Sequence, residues 1–267
     1  MDDAVEAIAG LSRIADAYAV LLCDVFGVLH DATQVYPAAA AALGAFRAGG
    51  GTVVLVSNSA EPGLRLTKTL QARGVPREYD DLVTSADIAR ALLGEQASVW
   101  IYHIGPARDR VLFDGLSVEL TGVEAADLTV CTGYPDSDDN LDAILGQAYR
   151  RGHLLLCTNP DTIAIVGEMR LRFAGLVAER YRALGGIVVE TGKPGALIYR
   201  QALERATRLR GRPVAPEEVL GIGDTGALDV AGALRAGFSA VQIGAGDPYS
   251  RPPDLPGRLH RMPALVW

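Results

Sequence analysis

Two short apolar runs constrain the fold most: Val20-Leu21-Leu22-Cys23, which ends in Asp24, and Thr52-Val53-Val54-Leu55-Val56, which ends in Ser57. The stretch between them reads as a helix, with Pro37 in its first turn, Ala38 to Ala48 as its body and Gly49-Gly50-Gly51 closing it. A strand, a helix and a second strand, both strands wholly apolar, form a parallel βαβ unit covered on both faces. The right-handed crossover brings both strand ends to one edge, so Asp24 and Ser57 face one crevice. Ligands bind at that carboxyl edge in open α/β sheets. An aspartate after a strand is also an ordinary turn former, so the meaning of Asp24 depends on what else reaches it.

The remaining chain extends the pattern. Val5, Ile8, Leu11 and Ile14, spaced by three, predict a helix over residues 1–18. Pro62 to Arg73 reads as a helix stopped by Gly74 and Pro76, and Asp81 to Ser85 as a short strand leading into a helix from Ala86 to Leu93. The pattern then restarts. Val99–Ile104, Leu128–Thr132 and Leu154–Thr158 are strand-like, Asp138 to Arg151 helical, and a further helix runs from about Glu168 to Leu184 before Gly185-Gly186. Residues 85–186 thus predict an inserted α/β domain with its own core, and residues 1–84 and 187–267 the domain it interrupts. In the latter, Ile187–Glu190, Val219–Gly223 and Ala240–Ile243 read as strands, and Gly195–Leu209 and Ala227–Ala236 as helices. The proline- and arginine-rich stretch from Asp247 to Pro263 reads as a surface loop, and Ala264 to Trp267 as a final edge strand.

Composition narrows the classes of function. With 267 residues, 49% apolar and 21% charged, the chain is long enough for a large core. No run approaches the roughly 18 apolar residues of a membrane span. Met1-Asp2-Asp3 is acidic where targeting segments are basic, so a cytoplasmic protein is expected. The net charge of -7 without a basic block argues against nucleic acid or an anionic membrane as partner. Cys23, Cys131 and Cys157 each sit near the end of an apolar run, which reads as core packing and not a disulfide framework.

Two further polar clusters follow strands and open helices. In Thr191-Gly192-Lys193-Pro194-Gly195, Lys193 is either a solvated lysine or a point charge aimed at a phosphate near a helix N-terminus. In Gly223-Asp224-Thr225-Gly226-Ala227-Leu228-Asp229, two acids five apart bracket a glycine-containing turn and suit a hard cation. With Asp24 and Ser57 this places three carboxylates, one lysine and one hydroxyl at one sheet edge. Such a set describes a carboxylate nucleophile, Mg²⁺ to neutralise phosphate charge, and serine and lysine donors for phosphoryl oxygens.

The order of these motifs, Asp-x-x-Gly-Val at 24–28, Ser57, Gly-Lys-Pro at 192–194 and Gly-Asp-x-x-x-x-Asp at 223–229, resembles the haloacid dehalogenase (HAD) superfamily over essentially the whole chain. The insertion between the serine and lysine motifs is similar to the class IIA subfamily of sugar-phosphate, nucleotide and 4-nitrophenyl phosphatases, which carries an α/β cap. The resemblance implies a Rossmann-like core with a mostly parallel sheet. It makes Asp24 the nucleophile and acceptor of an aspartyl-phosphate, with Ser57 and Lys193 holding the phosphoryl oxygens. Mg²⁺ is implied at the Asp24 carboxylate, the backbone carbonyl of Phe26 and Asp224, with Asp229 acting through water or orienting Lys193. Asn58, Asn159 and Asp161 are implied substrate-binding residues, and the partner is a small phosphorylated metabolite. A homodimer joined through caps is compatible with the resemblance.

The chain departs from that family at one position. Phosphatases of the superfamily have a second aspartate two residues after the nucleophile, where this chain has Phe26. The backbone carbonyl survives the exchange, but the proton donor does not, a loss worth about 10²- to 10⁴-fold in rate. His30 is the nearest substitute in sequence. The favoured reading is a Mg-dependent phosphatase with altered or reduced acid chemistry. The alternatives are a degenerate relative that binds a phosphorylated ligand, and a metal-independent dehalogenase, against which Asp224 speaks.

Overall fold

The computed structural model describes residues 5–96, 98–166, 169–244, 249, 252 and 254–267. The chain divides into two compact units, Met1–Ser57, Leu64–Val83 and Lys193–Trp267 in the first, Asn58–Gly63 and Thr84–Gly192 in the second.

The first unit holds, among the described residues, a seven-stranded sheet in the order Glu6–Ala7, Leu259–Met262, Ser239–Ile243, Val219–Gly223, Val20–Cys23, Thr52–Ser57 and Asp81–Thr84. Every residue of its four central strands is buried, as expected for a parallel sheet covered on both faces. Cys23 lies opposite both Leu55 and Ile222 in parallel pairings, so the ends of these strands emerge together. The crossover helix Pro37–Ala48 buries Ala39, Ala42, Leu43 and Phe46, the i, i+3, i+4, i+7 stripe of one helical face. Burying Leu43 and Phe46 contributes about 2 kcal/mol each, and Phe46→Ala is the single change that would open this layer. Helix Ala196–Arg210 buries Ile198, Tyr199, Ala202 and Ala206 and stops at Gly211, whose φ of 65° is left-handed.

Three expectations for this unit fail for identifiable reasons. Residues 5–18 form no α-helix. Glu6–Ala7 pairs with His260 and Arg261 as an edge strand, and Leu11–Arg13 and Ala15–Ala17 are 3₁₀ turns. Apolar spacing by three is the repeat of the 3₁₀ form, and the Leu11 N–H is used outside a helix, donating to the Val266 carbonyl at 2.8 Å. The last strand is Leu259–Met262, within the stretch read as a loop, while Ala264–Trp267 is no strand and is anchored by the buried Leu265. Asp247, where that loop was to begin, lies outside the described residues. The helix expected from Ala227 opens with a π turn, Gly226–Val230, before Ala231–Arg235.

The second unit contains a five-stranded sheet ordered Val188–Glu190, Leu155–Cys157, Leu128–Cys131, Val99–Ile104 and Val118–Leu120, with parallel pairings throughout. Its helix Ser85–Gly94 starts in a capping box: the Thr84 hydroxyl accepts the Asp87 N–H and Asp87 accepts the Thr84 N–H. The strand expected to reopen the first domain at Ile187 pairs instead with Leu155–Cys157, so the second unit runs to Gly192. Glu168 lies outside the described residues, and Met169–Arg172 pairs antiparallel with Ile163–Val166, so the following helix begins only at Ala174. The three cysteines are buried and unpaired by disulfides, as their sequence setting predicts. No helix among the described residues is long and apolar enough to cross a membrane.

Candidate active site

The site forms within the first unit at the carboxyl edge of the parallel sheet. Asp24 follows Val20–Cys23 and is held by its own N–H, which donates to the Ile222 carbonyl of the neighbouring strand at 2.8 Å. Lys193, far away in sequence, donates from Nζ to Asp24 Oδ1 at 2.5 Å and to Asp229 Oδ1 at 2.6 Å. All three side chains are more than nine-tenths buried. Asp229 is fixed in turn by the π turn, its Oδ2 accepting the Thr225 N–H at 3.0 Å and its backbone N–H donating to the Thr225 carbonyl at 2.8 Å.

Burial pushes the Asp24 carboxyl well above the ordinary aspartate range; the Lys193 charge opposes this, and Asp229 and Asp224 add to it. For Lys193 burial works against the charged form, but the carboxylates of Asp229 and Asp24 outweigh it and hold the amine well above the usual lysine range. The lysine is therefore a fixed cation.

Asp224 completes the acidic group. Among the described residues, ligand oxygens of Asp24, Asp224 and Asp229 lie within 4.8 Å of one another. Burial raises the Asp224 carboxyl, and Asp229 adds to the rise. Three carboxylates face one ammonium, which leaves excess negative charge in a mostly desolvated place. An all-oxygen donor set with that excess fits a hard divalent cation. Lys193 and Thr225 occupy both oxygens of Asp229, which leaves Asp24 Oδ2 and the Asp224 carboxylate to face an ion. The backbone makes room for this arrangement at Gly27, where φ is 86° and an added Cβ would collide with the Asp224 carboxylate.

Ser57 ends the strand beside that of Asp24 and is buried at the same edge. Phe26 and His30 share the turn after Asp24. The Gly27 N–H donates to the His30 carbonyl at 2.8 Å, the two rings meet edge to face with centroids 5.7 Å apart, and His30 Nδ1 is 2.8 Å from the Asp31 carbonyl oxygen. His30 is buried, while Phe26 is 44% exposed, unusual for a phenylalanine and free of any core role. Asn58, Asn159 and Asp161 come together within the second unit. Asn58 Nδ2 donates to Asp161 Oδ1 at 3.3 Å, and Asn159 Oδ1 accepts the Asp161 N–H at 3.1 Å.

Tyr199 is part of the site that the sequence did not reveal. Its hydroxyl donates to the Asp229 carbonyl at 2.9 Å, and it lines a small buried space with Asp24, Lys193 and Asp229. Burial and then the Asp229 charge keep this phenol well above its usual range, hence neutral. In sequence it belongs to the apolar stripe 199, 202, 206 of its helix and reads as core; its position six residues after Lys193 was the only hint.

A parallel α/β sheet whose carboxyl edge joins a strand-end aspartate, a buried lysine and an oxygen-donor cation site defines a class of carboxylate-centred hydrolases. Sequence-family models agree. One described as haloacid dehalogenase-like hydrolase matches residues 21–119, and one described as HAD-hydrolase-like matches residues 190–262. A haloacid dehalogenase-like family hydrolase from Brucella suis 1330 is 34% identical with a TM-score of 0.85, over 96% of this chain and 99% of that one. The chain belongs to the haloacid dehalogenase-like hydrolase family. The fold is shared with the p-nitrophenyl phosphatase from Archaeoglobus fulgidus, 21% identical with a TM-score of 0.72 over 92% and 96% of the two chains. It is shared too with a glycerol phosphate phosphatase from Mycobacterium tuberculosis, solved in complex with calcium, 23% identical with a TM-score of 0.64 over 86% and 67%. No curated protein matches the sequence.

Proposed function

We propose that the protein is a phosphatase of small phosphorylated metabolites that works through an aspartyl-phosphate at Asp24. The observation that carries this is the buried Asp24–Lys193–Asp229 cluster, because a lysine held between two carboxylates both positions a nucleophile and offers positive charge to phosphoryl oxygens. Ser57 supplies a hydroxyl for the same oxygens, and Asp229, with Tyr199 behind its backbone, positions the lysine. Asp24, Asp224 and the Phe26 carbonyl would hold Mg²⁺. When bound, the ion offsets the charge brought together by substrate and carboxylates. The phosphatase and calcium-bound names of the structural relatives support the reading.

Phe26 offers no proton to the leaving oxygen, so the enzyme favours esters whose alcohols leave without one, such as 4-nitrophenol, unless His30 serves. His30 meets that role only in part: its Nδ1–H donates to the Asp31 carbonyl, so Nε2 is the lone-pair nitrogen of the neutral ring, an acceptor and not a donor. Asn58, Asn159 and Asp161 are the proposed selectors of the leaving group. The exposed Phe26 also favours a second reading, a relative that binds a phosphorylated ligand without turning it over.

The two are separated by quenching the protein during incubation with acetyl phosphate and Mg²⁺. Phosphatase chemistry adds one phosphoryl group to the peptide containing Asp24, a binding protein adds none, and chelator abolishes the adduct. Halide release from a 2-haloacid in the presence of chelator would overturn both in favour of a dehalogenase.

A further inference from the structure

A cavity of about 220 Å³ lies in the first unit away from the acidic cluster. Its walls come from the 3₁₀ segment after the first strand, with Arg13, Ile14, Asp16 and Tyr18, and from the strand Leu259–Met262 with its approach, Arg258 and His260. Tyr18 and Arg258 each precede a strand of the parallel sheet, so the cavity opens at the amino edge, whereas Asp24 and Ser57 leave at the carboxyl edge. Two strands, Ser239–Ile243 and Val219–Gly223, separate the strand of His260 from that of Asp24.

The polar groups here are unspent. His260 is 2% exposed, yet its Nε2 has no hydrogen-bond partner, and Nδ1 stands 3.0 Å from a carboxylate oxygen of Glu6, a largely exposed side chain. A buried imidazole nitrogen without a partner costs about 1–3 kcal/mol, so it is ordinarily kept where something fills it. Among the described residues, Arg13 and Arg258, both exposed, form no ion pair, and both line the cavity. Arginine forks select carboxylates. Asp16 on the same wall disfavours a purely anionic guest and accepts from a hydroxyl or ammonium, and Ile14 offers an apolar contact.

We propose that this cavity is a second ligand site, distinct from the acidic cluster, for a small carboxylate that also carries a hydroxyl or ammonium group. The carboxylate lies between Arg13 and Arg258, the donor meets Asp16, and the buried His260 ring forms the wall beside them.

The protein contains four histidines, so ¹⁵N-histidine labelling gives a spectrum in which His260 is assigned from a single His260→Gln spectrum. L-malate, L-serine and L-aspartate, none of them phosphorylated, are titrated separately to about 10 mM, tenfold above a millimolar dissociation constant. The expected result is a saturable shift of the His260 ring signals with at least one of these, signals of His30, His103 and His153 staying in place. In Arg13→Ala/Arg258→Ala the affinity falls at least about tenfold. The single variants carry the test if the double variant does not keep the other three histidines at their native positions. No saturable shift with any of the three compounds, movement of all four histidines in step, or undiminished affinity in the arginine variants would overturn the proposal.

Discussion

The Lys193 ammonium lies 2.5 Å from Asp24 Oδ1, a residue 169 positions earlier in the chain, and both are buried. Removing the lysine strands Asp24 and Asp229 as desolvated carboxylates. Lys193→Met is therefore expected to destabilise the metal-free protein by about 3–5 kcal/mol in urea unfolding and to lower phosphate ester turnover at least about 100-fold. Saturating Mg²⁺ should restore part of the stability by replacing the lost charge. An unchanged unfolding midpoint would mean that the cluster contributes nothing net.

Gly27 stands against the Asp224 carboxylate in a left-handed conformation. Gly27→Ala should cost about 1–2 kcal/mol for the backbone alone. The displaced carboxylate should also weaken Mg²⁺ binding at least about tenfold by calorimetry. Mg²⁺ affinity equal to the wild type would remove Asp224 from the cation site.

Phe26 is half out of the protein, and only its backbone is proposed to serve the cation. Phe26→Asp should raise turnover of alkyl phosphate esters at least about tenfold, with Mg²⁺ affinity nearly unchanged. Turnover of 4-nitrophenyl phosphate should change less, since its alcohol leaves without help. No gain with alkyl esters would show that another residue, His30 first, already supplies the proton; His30→Gln in the same assay distinguishes the two.

Stability should fall in mild acid through His103. Burial, and after it the Arg110 charge, lowers this imidazole from its usual value to about 4, while its Nε2 shares a hydrogen bond with the Thr132 hydroxyl at 2.8 Å. Between pH 6.5 and about 4 the unfolded chain binds a proton that the folded chain does not. The neutral ring's contribution is whole above pH 6.5 and lost as pH drops through that window, about 2 kcal/mol after allowance for partial exposure. Urea unfolding at several pH values should show this slope, flattened in His103→Gln. An equal slope in the variant would assign it elsewhere, to His153 or His260, which burial also lowers.

What the sequence disclosed follows from what is local. Strands such as Val20–Cys23 and Thr52–Ser57 are continuous apolar runs with a helix between, and their polar ends fall at one edge by geometry alone. Asp24, Asp224, Asp229 and Lys193 were found in this way, and the structure brings them together. What stayed hidden depends on distant partners. The strand Leu259–Met262 sits in a proline- and arginine-rich stretch and exists because Ser239–Ile243 and Glu6–Ala7 flank it. Val188–Glu190 carries no mark of which sheet it joins, since Leu155–Cys157 and not its own composition decides that. Tyr199 hid among core residues because its spacing is that of a buried helix face, and only the Asp229 carbonyl above it makes it part of the site.

The most direct test is the rate of 4-nitrophenyl phosphate hydrolysis by the purified protein with Mg²⁺, set against Asp24→Asn prepared in the same way. A nucleophilic Asp24 predicts turnover in the wild type that chelator abolishes, and a fall of at least about 10³-fold in the variant, which keeps the size of the side chain but not its nucleophilic oxygen. Equal rates in the two proteins, or no turnover in either, would contradict it.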